Sequence, residues 1–461
     1  MTLPPELLRQ ISEIRGGRVV LVIGAGASIE DPTGFETGAY YSRDAHRRLL
    51  DDGVLVQGEC DDPSDLSMLA DVVFAKAPGS QIELTKRLPK QPWRMATPNS
   101  GHNQAAALLI EGALRHIITL SYDLALQNAL GALGAPPEVT IVRGPEDHEG
   151  AGSRSLIFLH RSVEADEEQW VLRKEMLDEA WKDSWEGIMA SAGLAAPTVV
   201  FAGLGSPAAV LTDSVGRIAG ASNSTFYLVD PNPESAFAEA LGSSIQPVVA
   251  MLWCAFMQEL STRVAVEQIA RLRVAVEVLK QERGIADSTG ARLIESIAEL
   301  GLVAMGKLRS SWLLRRAPYS PEGAESQTIS VADLALALGH AYLLLNGESI
   351  ELLDDGQITL TDVENHRFSL HAVHAEGVKT WSAISTEIDR RMQQTPATRR
   401  TRHVLVAGMV NQPDSTPDDL VRGTDPEDLV RGADILIPIR AELIGADGEF
   451  DIEGLRKVLA Q

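Results

Sequence analysis

The residues that could do chemistry stand in short polar strings, each at the end of an apolar run. "GAGAS" (24–28) follows "RVVLVI", and a glycine turn opening off a strand frees backbone N–H groups to face a phosphate. "TLSYD" (119–123) sets a hydroxyl, a phenol and a carboxylate side by side at Ser121, Tyr122 and Asp123. "LHRS" (159–162) brings His160, an imidazole whose unperturbed pKa of about 6.5 suits proton transfer near neutral pH. "AGLGS" (202–206) adds Gly203 and Ser206, and "VDPNP" (229–233) adds Asp230 and Asn232.

The glycine loop does not fit the two commonest phosphate-binding patterns. An ordinary dinucleotide fingerprint needs a third glycine where this chain has Ile29, and an acidic residue ending a second strand about 20 residues on. Asp44 is at that distance but lies in "SRDAHRRLLDD", which reads as helix. A P-loop is excluded because no Gly-Lys-Ser/Thr follows. By itself, a lone Gly-x-Gly after a strand fits a ligand-free turn as well as a nucleotide site.

Five apolar runs carry these strings: "RVVLVI", "HIITL" (116–120), "SLIFL" (155–159), "TVVFAG" (198–203) and "TFYLVD" (225–230). They lack polar alternation and are separated by helix-like segments, which predicts a parallel sheet covered on both faces. All five polar ends then lie along the sheet's carboxyl edge, where open α/β sheets bind ligands. The expected fold class is α/β: a Rossmann-like parallel sheet with helices on both faces, then a helical segment and a mixed α/β C-terminal region.

The 461 residues suit two domains or more. A net charge of −23 argues against nucleic acid as the main ligand. No apolar run approaches the roughly 18 residues of a spanning helix, and the first residues lack the order of a signal peptide, so the expected location is cytoplasmic without membrane contact. Cys60 and Cys254 are the only cysteines, too few for a disulfide framework or a four-cysteine zinc site. His366, His371 and His374 lack a completing cysteine or carboxylate and are expected to be exposed around a strand or turn, so no metal is predicted.

Taken in order, the strings resemble the sirtuin-like (silent-information-regulator-like) family, particularly its bacterial branch of phage-defence effectors. The resemblance covers roughly residues 10–250 and includes "DPTGF" (31–35), ending at Phe35, where the family has a glycine-proline-phenylalanine loop. It implies that Gly24, Ala25, Gly26 and Ser28 hold an NAD pyrophosphate ahead of a helix N-terminus, with Phe35 in the adjoining loop. It implies further that Gly203 and Ser206 contact the adenosine side, and that Asp230 and Asn232 lie near the adenine or its ribose. Tyr122 and Asp123 would line the nicotinamide-ribose pocket, and His160 would accept the ribose proton as the bond to nicotinamide breaks.

Two departures fall on the chemistry. Ser121 occupies the family's asparagine position, and Arg161 follows His160 where the family has glycine. A serine hydroxyl lacks an amide's paired donor and acceptor, while Arg161 could pair with a phosphate or fill the ribose space. Protein-deacylating relatives carry a four-cysteine zinc ribbon that two cysteines cannot build. What the resemblance leaves is NAD cleavage to nicotinamide and ADP-ribose with water as acceptor, or NAD and ADP-ribose binding without turnover as a regulatory module. It also implies a homo-oligomer or a complex with a second defence protein of nucleotide-sensing or ATPase type.

Beyond the sheet, "FMQELSTRVAVEQIARLRVAVEVLKQERG" and "ARLIESIAELGLVAMGKL" have helical spacing, and "RRAPYSPEGAESQ" reads as a linker. The rest is mixed: a helix at "VADLALALGHAYLLL", strands at "ESIELLD" and "GQITL", a helix near 378–393, and a last α/β-like piece around "HVLVAGMV" and "DILIPI". The predicted organisation is a nucleotide domain over 1–255, a helical segment over 256–318 and a mixed region over 319–461 for sensing, assembly or partner binding.

Overall fold

A computed structural model describes residues 3–12, 17–77, 80–133, 139–152, 154–180, 184–205, 215, 223–283, 286–298 and 301–305, with shorter stretches between 349 and 457. The chain divides into two compact units, Met1–Gly131 with Pro136–Val264, and Ala132–Ala135 with Ala265–Gln461.

The first unit is built on six parallel strands: β1 (Val19–Ile23), β2 (Leu114–Thr119), β3 (Thr140–Val142), β4 (Ser155–Phe158), β5 (Thr198–Ala202) and β6 (Thr225–Val229). Their order across the sheet is β3-β4-β2-β1-β5-β6. Five of them are the five apolar runs. The sixth, β3, has only three residues, too few to show a pattern.

Burial on both faces explains the unbroken runs. Val20, Val22, Ile118, Ile157, Val199, Phe201, Phe226 and Leu228 pack on one face with Trp185, Met189, Ala190 and Leu194 of the helix Trp185–Leu194. Leu21, Ile117, Leu156, Phe158 and Val200 are equally buried, on alternate strand positions. Each such side chain contributes about 1.5–3 kcal/mol when fully withdrawn from water. A polar residue at any of these positions would forfeit that and need a partner.

The order of strands places the switch point between β1 and β5, since the chain leaves β1 toward β2 and leaves β5 toward the opposite side. "GAGAS" and "AGLGS" are therefore neighbours, as are "TLSYD" and "LHRS" at the ends of the adjacent strands β2 and β4. Asp44 lies in the helix Gly38–Asp51, where it pairs with Arg47 and Arg48. It ends no strand, which is why the ordinary dinucleotide fingerprint fails.

The helical spacing after residue 250 is realised as the helices Trp253–Arg283 and Asp287–Ala298. The second unit holds a five-stranded sheet of β7 (Ser349–Leu352), β8 (Gln357–Thr361), β9 (Arg367–His374), β10 (His403–Ala407) and β11 (Ile437–Arg440), in the order β11-β10-β9-β8-β7. The pairs β7/β8 and β8/β9 are antiparallel, and the pairs β9/β10 and β10/β11 parallel. His371 corrects the expectation of exposed histidines: it sits inside β9 and is buried. His366, the linker after residue 314 and the helix expected at 331–345 lie outside the described residues. No described helix is long and apolar enough to cross a membrane.

Candidate functional site at the carboxyl edge

The two glycine turns interlock. Gly26 N–H donates to Gly203 O at 2.8 Å, and Gly24 N–H to Ala202 O at 3.0 Å. A Cβ on Gly24 would lie 2.5 Å from Gly203 O, one on Gly26 2.7 Å from Gly203 Cα, and one on Gly203 2.4 Å from Ala27 N. Gly203 also has φ +66°, a conformation that favours glycine. These glycines therefore serve the fit of two strand ends to each other. The expected helix N-terminus is replaced by a single 3-10 turn, Ala25–Ser28, followed by a loop through Phe35 to the next helix at Gly38. Its geometry follows from bonds made inside the turn, since Ala27 N–H reaches Gly24 O and Ile29 N–H reaches Gly26 O.

Asp123 is the hub beneath that turn. Its Oδ2 accepts from Ser28 Oγ at 2.9 Å and from Ser121 Oγ, and its Oδ1 accepts from Ala125 N–H at 2.9 Å. His102 Nε2 lies 3.4 Å from Ser28 Oγ, and all four of Ser28, His102, Ser121 and Asp123 are buried. Polarity along this chain is consistent. Asn99 N–H donates to His102 Nδ1, which leaves the proton on Nε2 to face the serine. Asn99 Nδ2 in turn donates to Ala27 O at 2.9 Å and so ties the glycine turn to the helix Ser100–Ile110 that Asn99 caps. Sequence reading missed Asn99 and His102. Their signal was the capping pair three residues apart in "PNSGHN".

This arrangement makes Asp123 an acceptor already engaged by the protein. Asp123→Ala is expected to lower unfolding stability by about 2 kcal/mol, because two buried hydroxyls and a helix N–H lose their acceptor. Urea unfolding of the variant measures it; an unchanged midpoint would contradict the hub.

His160 lies in the turn after β4, partly exposed. Burial of the ring, then the charge of Arg161, lower its pKa from the usual range to about 4, against a hydrogen bond to the backbone of Leu120 that raises it. The ring is neutral at pH 7. Arg161 does not point to a phosphate site: its Nη1 is 2.6 Å from Glu186 Oε1, and its guanidinium lies 4.9 Å from the Trp185 ring centroid. Its charge is already matched inside the fold.

Tyr122 is held by packing. Its ring stacks on Trp170 at 4.9 Å and on Trp93 at 6.0 Å, and its hydroxyl donates to Val171 O at 2.9 Å. Burial pushes the phenol up. Trp170 directly follows a short 3-10 turn, Glu167–Gln169. Phe35 is partly exposed, with its N–H donating to Ser28 O at 2.9 Å. Asp230 and Asn232 shape the loop after β6, each accepting a backbone N–H two residues on. Ser206 lies outside the described residues. The structure thus brings Gly24, Ala25, Gly26, Ser28, Ser121, Asp123 and Gly203 together, and sets His160 just past the end of β4, the strand beside the β2 that Ser121 follows. Among the described residues no group of three or more His, Cys, Asp or Glu could hold a metal ion.

Burial lowers His102 and His116 to about 4 as well. With folded values below the unfolded value of about 6.5, the unfolded chain takes up these protons first. The stability tied to them is complete above pH 6.5 and is lost as pH falls toward 4. The unfolding free energy from urea curves is therefore expected to be level from pH 7 to 8 and to fall as pH drops below 6. A value level down to pH 4.5 would contradict the neutral histidines.

No family model matches the chain, and no curated protein matches it. Among solved structures it is similar to a mutated Sir2 homologue in complex with 2'-O-acetyl ADP ribose, at 20% identity and a TM-score of 0.35, over 57% of this chain and 96% of that one. A second mutated Sir2 homologue, with ADP ribose, is 18% identical at a TM-score of 0.33 over 57% and 96%. A complex of Sir2 with p53 peptide and NAD+ is 18% identical at a TM-score of 0.33 over 58% and 100%. These three solved structures are of Sir2 and Sir2 homologues.

Proposed function

We propose that the first unit binds NAD+ along the carboxyl edge of its sheet and cleaves the bond between nicotinamide and ribose, with water as acceptor. The observation that carries this reading is the placement of His160: an imidazole at the carboxyl edge, kept neutral by burial and beside a cation whose charge Glu186 already matches. In the reaction the C1′–N bond breaks and nicotinamide leaves with the electron pair, which neutralises its ring. A water oxygen bonds C1′, and the released proton passes to His160 and then to solvent. The ends of β1 and β5 would take the pyrophosphate and adenosine, and the ends of β2 and β4 the nicotinamide ribose.

The further elements of the reading come from the resemblance: a bacterial anti-phage role in which infection triggers NAD+ depletion, with the second unit engaging an activator or a partner protein. The two-unit division is consistent with a separate sensing part. Full-length protein at high concentration, incubated with NAD+, is expected to yield nicotinamide and ADP-ribose in equal amounts. Cells expressing it are expected to lose NAD+ after phage infection and not before. Intact NAD+ in both experiments would overturn the reading.

A second reading has its own observation. Ser121 Oγ already donates its only proton to Asp123, so, unlike an amide, it has no donor left for ribose or water. On that reading the unit binds NAD+ or ADP-ribose without turnover and signals occupancy to a partner. Protein that retains uncleaved NAD+ through purification would favour it.

A further inference from the structure

Among the described residues, Arg161 is the non-glycine residue with a left-handed backbone, at φ +74°, a conformation that L side chains rarely adopt. Its side chain is not spent on the surface. It reaches Glu186 with Nη1 to Oε1 at 2.6 Å, the two side chains being 14% and 5% exposed, and it lies against the Trp185 ring. Glu186 stands in the first turn of the helix Trp185–Leu194, whose Trp185, Met189, Ala190 and Leu194 pack in one core with Ile118 of β2 and Ile157 of β4. A carboxylate buried to that degree needs a partner, and Arg161 is its ion-pair partner among the described residues. The same short turn is tied at both ends, since Arg161 N–H donates to Phe158 O and His160 O accepts from Val171 N–H.

We propose that Arg161 and Glu186 are positioning residues for His160: the buried ion pair holds residue 161 in its left-handed conformation, and that conformation sets the direction in which the preceding imidazole leaves the strand end. The catalytic consequence rests on the reading of His160 as proton acceptor; the conformational one does not. One consequence separates this role from simple support of the fold. Glycine adopts a left-handed backbone without help, so a glycine at 161 makes the pair dispensable. Loss of Glu186 should damage the His160 geometry when Arg161 is present and spare it when glycine replaces the arginine.

The test uses full-length protein labelled with ring-¹⁵N histidine, with the His160 signals assigned by their absence in His160→Gln. Glu186→Ala is expected to shift or broaden the His160 ring signals while those of His102 and His116 stay in place. Its kcat for nicotinamide release is expected to fall about tenfold or more, with KM changed less than about threefold. Arg161→Gly combined with Glu186→Ala is expected to return the His160 signals to the parental positions and kcat to within about threefold. Parental His160 signals in Glu186→Ala, or a double variant with parental His102 and His116 signals but a displaced His160, would overturn the proposal. Should Glu186→Ala fail to fold, the double variant compared with the parent decides in the same way. A parent that releases no nicotinamide would sink the catalytic reading alone, since the His160 signals still report on the positioning.

Discussion

A protein carrying His160→Ala is expected to release nicotinamide from NAD+ about 10²- to 10⁴-fold more slowly than the parent, while binding NAD+ within about threefold. The size follows from what else the site offers. Asp123 accepts from Ser28, Ser121 and Ala125 inside the fold, and the Tyr122 hydroxyl donates to Val171 O, so both are tied up by the protein itself. The imidazole, by contrast, stands at the edge with neither ring nitrogen donating to a carboxylate among the described residues, and is neutral over the whole working range. Its lowered pKa of about 4 gives a second, independent signature. A base works in its unprotonated form, so kcat/KM should stay level from pH 8 down to pH 5 and fall only as pH approaches 4. An ordinary histidine would show the fall at about pH 6.5. Chromatographic quantification of nicotinamide, with calorimetric titration of NAD+ into the variant, measures both. Release by His160→Ala at the parental rate would remove the imidazole from the mechanism.

Much of the first unit was legible because its physics is local. A strand segment buried on both faces is an apolar run, and β1, β4, β5, β6 and the last half of β2 each carry one in their own residues. Glycines and polar residues at the strand ends marked the edge where chemistry could be placed. The strand order was not legible, because it is decided by how crossovers pack, and no residue of β1 states that β5 lies beside it. The same limit applies inside the site. Nothing near Arg161 in the chain shows that its partner is Glu186, or that its backbone is left-handed, since arginine is not the residue that conformation favours. Asp123 reads as a free carboxylate until Ser28 is brought to it from 95 positions away. The glycine turns read as space for a phosphate, whereas here each also makes room for the other. Local pattern shows which residues share an edge; pairing across the edge decides which of them remain free to act.

That last distinction leads to the second large effect. Gly203→Ala is expected to cost about 4 kcal/mol of unfolding stability and to abolish measurable NAD+ binding, whereas Gly205→Ala two residues on should change stability by less than about 0.5 kcal/mol. At 203 the added methyl meets backbone atoms, Ala27 N at 2.4 Å and Gly26 C at 2.9 Å, and φ is +66°. Neither obstacle can rotate away, so either the β5 turn moves or the β1 turn does. At 205 nothing lies within 4 Å. Moving either turn breaks the bond from Gly26 N–H to Gly203 O and opens the switch point at which the sheet would take its ligand. Gly24→Ala tests the same contact from the other side, but its neighbours include the side chain of Leu204, which can yield, and its backbone is at φ −109°, open to any residue. It should therefore fall between the two. Urea midpoints and NAD+ titrations on the three variants order them as 203, 24, 205 if the two strand-end turns act as one interlocked element. Equal losses at 24 and 203 would place the whole effect in the contact and none in the backbone conformation of Gly203, and a silent Gly203→Ala would mean that the turns are not interlocked.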